Sequence, residues 1–239
     1  MRPVAAALLL LAMAGGAFAE PGKETGTEAA WHPCDGDGNG GGWQVAGADA
    51  AERALVCRGV AAAAEVLGGC GVAVEAASRV RLVDALPVFC DSAAYGVFDG
   101  AAGEIRLDRP ALCVESAPAD GFFRLLPLAD AFVALAAHET AHALLFAGGL
   151  GGERQLEHEY IAGVVQFAAV PEAARAPLLA ALATRPPETL AEFNVVLLGF
   201  APDRYAAKAW LHFEAQADGC AFLRALATGA ARLPDLPEL

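Results

Sequence analysis

The segment from Leu135 to Leu145 reads LAAHETAHALL, and it constrains the fold of this chain more than any other stretch. It is apolar apart from one threonine and three ionisable side chains, those of His138, Glu139 and His142. A helix this apolar must be buried, and burial of an ionisable group without a partner is costly in free energy. A helix is predicted for residues 130–147, and its ionisable side chains are expected to share a common partner.

The spacing of the two histidines indicates a metal ion as that partner. Positions i and i+4 lie one turn apart on the same face of an α-helix, so His138 and His142 can bind a single ion. Glu139 projects about 100° away from that face and therefore lies beside the ligands. There it can accept a proton from a water molecule at the metal. The alternative is a pair of core histidines that hydrogen-bond to the backbone.

A zinc enzyme of this type needs a third protein ligand and leaves the fourth position open. The glycines between Gly148 and Gly152 predict a sharp turn, and the helix predicted next, residues 153–170, offers Glu157, His158 and Glu159 in succession. Glu159 is the preferred third ligand and His158 the second choice. The face of Glu159 carries residues that allow close packing on the first helix: Ala162, Gly163 and Gln166. The alternative is a solvated first helical turn, where acidic side chains suit the helix dipole.

The pattern His138-Glu139-x-x-His142, followed by Glu159 on a second helix, resembles the zincin metallopeptidases. It is closest to their branch with a glutamate as third zinc ligand, the gluzincins. The resemblance covers about residues 79–167, and the chain is also similar to small secreted bacterial proteins of unassigned function. It implies Zn²⁺ as cofactor, Glu139 as general base, a peptide or protein substrate, and a sheet whose edge strand binds extended peptide.

Two positions depart from the gluzincin pattern. His158 stands where the best-known members have an asparagine before the ligand glutamate, and Gly163 stands where they have an aspartate four residues after it. These departures leave the residue that orients the first histidine, His138, unidentified. Candidate transition-state donors are His212 and Tyr160, with a hydrogen-bonded core histidine as the alternative for His212.

The start of the chain has the order of a secretory signal peptide, which is predicted for residues 1–19. Arg2 is followed by an apolar run from Val4 to Ala14 and by the small-residue site Ala17-Phe18-Ala19. A membrane anchor is the weaker alternative, because the run falls short of the roughly 20 residues that a spanning helix needs. The mature protein is therefore expected to be exported, periplasmic or secreted, with no membrane anchor after cleavage.

The six cysteines of an exported chain predict up to three disulfides. Cys57 lies inside a predicted helix and Cys70 just beyond its end, so these two are roughly 20 Å apart and too distant to be joined. Cys90 and Cys113 flank a predicted hairpin and are the preferred pair.

The order of predicted elements indicates a single α+β domain, a small sheet with a hairpin followed by a mostly helical half that contains the histidine helix. Residues 20–45 are predicted to be an irregular glycine-rich arm, and residues 46–239 the zincin-like domain. The predicted elements are a helix at 49–67, a strand at 79–83, a hairpin at 95–108, helices at 130–147 and 153–170, and further helices between 203 and 227.

These observations favour an exported zinc-dependent hydrolase, in the first place a peptidase. The alternatives are a non-catalytic exported binding module that retains the fold, and a metal hydrolase that acts on a non-peptide amide of the cell wall. Glu139 favours an enzyme, because a purely structural metal site has no need of a base. The net charge of −13 argues against nucleic acid as a partner.

Overall fold

The computed structural model describes residues 29–34, 42–73, 78–86 and 95–234. The predicted signal peptide, residues 1–19, lies outside these ranges, as does Cys90. Within them the chain forms one small sheet and a larger set of helices, most of which follow the sheet in the chain. The prediction of an α+β fold is confirmed.

The described residues contain one sheet, whose strands are β1 (His32–Pro33), β2 (Gln44–Ala46), β3 (Arg79–Val83), β4 (Gly96–Asp99) and β5 (Glu104–Asp108). Their order is β1-β2-β3-β5-β4, which leaves β4 at one edge. β3 runs parallel to both β2 and β5, whereas β4 and β5 form an antiparallel hairpin. Val80 and Leu82 of β3 are buried and Arg79 is exposed, because successive side chains of a strand point to opposite faces. The predicted strand and hairpin are both confirmed.

The α-helices of the described residues are α1 (Ala50–Gly69), α2 (Pro110–Ser116), α3 (Phe122–Leu125), α4 (Leu128–Ala147), α5 (Gln155–Ala169), α6 (Glu172–Ala181), α7 (Val195–Phe200), α8 (Pro202–Ala215) and α9 (Gly219–Ala227). The central helix is α4, in which fourteen of twenty residues are buried, as its apolar sequence requires. It packs closely on α1, since a Cβ atom added at Gly59 would lie 2.6 Å from the Cβ of Ala136. Among the described residues, no helix is both long and apolar enough to cross a bilayer.

Gly163 of α5 packs against a different helix from the one predicted. Gly163 was expected to bring α5 close to the histidine helix, but a Cβ atom added there would lie 2.8 Å from the Cα of Ala206 in α8. Because α5 is buried on most sides, its glycine faces α8 while other side chains face α4. The prediction that Gly163 packs against the histidine helix is therefore wrong, because Gly163 packs against α8.

The segment predicted to be an irregular arm contributes two short strands to the sheet. β1 pairs with β2, and β2 pairs with β3 far along the chain. Strands of two or three residues are too short to show the alternation that reveals a strand in a sequence, and their pairing depends on distant partners.

Two disulfides join the described residues, Cys34 to Cys57 and Cys70 to Cys220. The excluded Cys57–Cys70 pairing is indeed not formed. Cys113 is buried, and its Sγ lies 3.7 Å from the carbonyl oxygen of Asp108. Its predicted partner, Cys90, lies outside the described residues, so that pairing stays a prediction.

Candidate metal centre

Three side chains from α4 and α5 point their ligand atoms at one point. The Nε2 atoms of His138 and His142 are 3.1 Å apart. Glu159 Oε2 lies 3.5 Å from the Nε2 of His138, and Glu159 Oε1 lies 3.6 Å from the Nε2 of His142. Two ligand atoms that hold one zinc ion tetrahedrally, with bonds of about 2.0–2.1 Å, lie about 3.3 Å apart. The observed spacings fit this value, so the group can hold a metal ion.

The predicted glycine turn brings α5 back along α4. Gly149 has φ +91°, a left-handed conformation that glycine adopts without strain. The N–H groups of Gly148 and Leu150 donate to the last carbonyls of α4, those of Leu144 and Leu145. The turn therefore ends one helix and sets the start of the next, and this fixes Glu159 opposite the two histidines.

Each histidine of the group has a partner behind it. His138 Nδ1 lies 3.0 Å from Gln166 Oε1, and His142 Nδ1 lies 3.4 Å from His158 Nδ1. The remaining nitrogen of His158, Nε2, lies 3.1 Å from the carbonyl oxygen of Leu150. Both nitrogens of His158 are thus engaged away from the ligand atoms, so the structure does not bring this alternative third ligand into the group.

Glu139 lies next to the group without belonging to it. Its side chain is buried, and the backbone of β4 passes directly over it. A Cβ atom added at Gly96 would lie 2.6 Å from the Cγ and 2.7 Å from the Oε1 of Glu139. Burial raises the pKa of Glu139 to about 7, and the negative charge of Glu159 acts in the same direction. The carboxyl group of Glu139 therefore holds its proton more tightly than a carboxyl group in water does.

The charges of the three ligand candidates are tightly coupled. Burial lowers the pKa of His142 to about 3, which keeps its imidazole neutral. Burial also opposes the charge on Glu159, yet its contact with the protonated imidazole of His138 outweighs this effect and holds the pKa of Glu159 below its usual value. Conversely, burial lowers the pKa of His138, but the Glu159 carboxylate raises it to about 9. Since a ligand imidazole must be neutral, a metal ion would compete with the proton on His138.

The group is open on one side. The side chains of His138 and Glu159 are 15% and 17% exposed, whereas His142 is buried. Asp203, at the start of α8, accepts a hydrogen bond of 2.9 Å from the backbone N–H of Phe122, and its carboxylate also acts electrostatically on His138. Nothing in the sequence pattern singled out Asp203, because only the packing of α8 on α5 brings it here.

The two candidate transition-state donors bind each other. Tyr160 Oη lies 2.7 Å from His212 Nδ1, and the two rings pack among Phe193 and Phe222. Tyr160 is completely buried. Neither residue is among the ligand group, and their contacts give no support to a role at the metal.

Gln166 and Gly96 are two further residues of the site whose roles there are not predicted from the sequence. A signal for Gln166 was present, since it lies on the helical face of Glu159, two turns further on. Gly96 carried no comparable signal, because its importance depends on how the hairpin crosses α4.

Comparison with known proteins gives a family and no activity. No curated protein and no solved structure matches this chain. The model of a family of unknown function matches residues 43–235, a segment that contains Glu139 and the three ligand candidates. With most of its length matched, the chain belongs to this family, DUF6639.

Proposed function

We propose that this protein is an exported zinc-dependent hydrolase of the gluzincin type that acts on peptide bonds. The single observation that carries the proposal is the convergence of His138, His142 and Glu159, with one side open and a buried carboxyl group, that of Glu139, beside it. A purely structural zinc site is closed by four protein ligands, whereas catalytic sites have three and an open position.

The donor set supports zinc as the metal. Two imidazole nitrogens and one carboxylate oxygen are ligands that zinc accepts in tetrahedral geometry, whereas calcium and magnesium prefer oxygen ligands alone. When bound, zinc lowers the pKa of a coordinated water and polarises a carbonyl oxygen. Glu139 takes up the proton of the attacking water at its carboxylate and delivers it to the leaving nitrogen.

The edge strand supports a peptide as substrate. β4 lies at the end of the sheet, and among the described residues no strand pairs with its outer edge. An extended peptide that adds to such an edge makes main-chain hydrogen bonds along it. Because the backbone of Gly96 lies against Glu139, a peptide on this strand would pass close to the general base.

The disulfides support export. Such bonds form and persist in oxidising compartments, which include the periplasm and the extracellular space. The Cys34–Cys57 and Cys70–Cys220 bridges are thus in keeping with a signal peptide at residues 1–19 and a periplasmic or secreted mature protein.

Replacing Glu159 by alanine is expected to weaken zinc binding by more than the roughly 10- to 100-fold that loss of an outer-shell partner costs. The variant lacks the only anionic ligand of the group. Zinc content after dialysis and affinity by chelator competition measure the effect. Glu153→Ala removes an exposed acid from the adjoining turn and serves as the matched control. Unchanged zinc affinity in Glu159→Ala would show that the third ligand is another residue.

Replacing Gly96 by alanine is expected to reduce kcat by roughly 10- to 100-fold, because the new Cβ atom displaces the Glu139 carboxyl group from its position. Gly100→Ala is the control at the end of the same strand, since its Cβ would meet only the half-exposed ring of Phe146, at 3.1 Å. Steady-state kinetics on zinc-loaded protein measure both. Equal kcat values for the two variants would contradict the placement of Glu139 under β4.

A further inference from the structure

A third histidine is packed behind the metal-binding pair. The ring of His158 stacks on that of His142 with centroids 5.6 Å apart, and only 1% of His158 is exposed. Its Nδ1 faces the Nδ1 of His142, and its Nε2 faces the carbonyl oxygen of Leu150. A buried imidazole with a specific partner at each nitrogen has a defined orientation.

The positions of the protons follow from the chemistry of these partners. A carbonyl oxygen only accepts, so the Nε2 of His158 must carry the proton in its hydrogen bond to Leu150. Two N–H groups cannot face each other across the 3.4 Å between the Nδ1 atoms, so one of these atoms must be an acceptor. A neutral His158 that is protonated at Nε2 has its lone pair at Nδ1 and accepts from the Nδ1–H of His142.

This arrangement leaves the proton of His142 on the side away from the ligand group. Its Nε2 then carries a lone pair, and that atom points at His138 Nε2 and Glu159. If the hydrogen bond between His142 and His158 ran in the opposite direction, the proton of His142 would lie on its Nε2. That nitrogen could then not bind a metal. The carbonyl of Leu150, through His158, therefore selects the tautomer of His142 that can bind a metal.

We propose that Leu150, His158 and His142 form a hydrogen-bond relay in which His158 is a positioning residue for the metal centre. The inference rests on the proposed metal site and deepens it, because it makes the glycine turn that carries Leu150 part of that site. His138 is held differently: Gln166 Oε1 accepts directly from its Nδ1–H at 3.0 Å. The two ligand histidines thus depend on different elements, one on the turn and one on α5.

Three variants separate the relay from mere packing. His158→Phe keeps a ring of similar size and removes both nitrogens, so zinc affinity should fall by roughly 10- to 100-fold. His158→Asn places an amide oxygen near the position of Nδ1, where it can still accept from His142, and zinc affinity should stay within a few-fold of wild type. Gln166→Leu removes the partner of the other histidine and shows what loss of one direct acceptor costs.

The decisive measurement needs no variant. Nitrogen-15 NMR of the imidazole rings in the zinc-loaded protein distinguishes the two neutral tautomers, and we expect an Nδ1–H form for His142 and an Nε2–H form for His158. An Nδ1–H form of His158, or unchanged zinc affinity in a folded His158→Phe protein, would overturn the relay and leave the hydrolase proposal intact. Tight zinc binding with the expected tautomers supports the relay even if no peptide is cleaved.

Discussion

The Glu139→Gln variant is expected to keep its zinc and its fold while losing peptide hydrolysis by about 100-fold or more, the size of effect expected when a general base is removed. Glutamine has nearly the same shape as glutamate and can fill the space under Gly96, but its amide cannot take up a proton. Glu139 is not among the ligand atoms of the metal group, so its replacement should not release the metal.

The measurement combines zinc content, thermal unfolding and cleavage of a broad peptide library by wild-type and variant proteins. Glu153→Gln, a substitution of the same kind at an exposed position, controls for the loss of one negative charge. Equal cleavage by wild type and Glu139→Gln would rule out the mechanism. Cleavage by neither protein would favour the non-catalytic binding module, in which a base beside the metal has no use.

The burial of Glu139 is in keeping with the general-base role proposed for it. A carboxyl group in water is fully ionised at neutral pH and is a weak base, whereas burial raises the pKa of Glu139 to about 7. A base whose pKa lies near the working pH combines a substantial ionised fraction with the ability to hold the proton it receives. A zinc ion bound beside Glu139 would lower this pKa through its charge, so burial and the metal ion would act on the carboxyl group in opposite directions.

The parts of the fold that could be predicted from the sequence are those encoded locally. The strand Arg79–Val83 alternates between the two faces of the sheet, and the helix Leu128–Ala147 is a long apolar run that ends at two glycines. Both signals lie within or directly beside the residues concerned. β1 and β2 lack such patterns, and their place in the sheet depends on β3, which is distant in the chain. The disulfides could not be predicted either, since six cysteines allow 15 connectivities and only packing chooses among them.

The candidate site also has a part that is encoded locally in the sequence and a part that depends on distant residues. The ligand group was predictable because helical spacing alone places His138 and His142 on one face, and a turn followed by a helix brings Glu159 opposite them. The role of His158 was not predictable, because it requires the position of a backbone carbonyl in the turn. Tyr160 and His212 are 52 residues apart in the chain, and no local pattern shows that they meet.

A second large effect is expected at a buried ion pair that fixes residues 231–233 to α5, the helix that carries Glu159. Arg154 Nη2 donates to Glu157 Oε1 at 2.9 Å and to the carbonyl of Ala231 at 2.7 Å. The same carboxylate oxygen accepts from the backbone N–H of Leu233 at 3.0 Å. Both charged side chains are buried, and Glu157 lies two residues before Glu159. The pair thus joins residues 231–233 to the first turn of α5.

Replacing Arg154 by methionine should lower the free energy of unfolding by about 3–5 kcal/mol, because it leaves the Glu157 carboxylate buried without its cation. Urea unfolding measures the change. Arg185 and Glu188 supply the matched control: they have the same i, i+3 spacing at 3.5 Å but are 77% and 76% exposed. Arg185→Met should cost less than about 1 kcal/mol, as exposed pairs do.

The double variant Arg154→Met, Glu157→Leu tests the physical reason for that loss. If the cost of the single change is an unpaired buried charge, removal of the second charge should restore a large part of the stability, because hydrophobic replacements of buried pairs are often neutral. The N–H of Leu233 and the carbonyl of Ala231 would still lose their side-chain partners, so recovery should be incomplete by roughly 1–2 kcal/mol. A double variant as unstable as Arg154→Met would show that the pair acts through these two backbone contacts rather than through its charges.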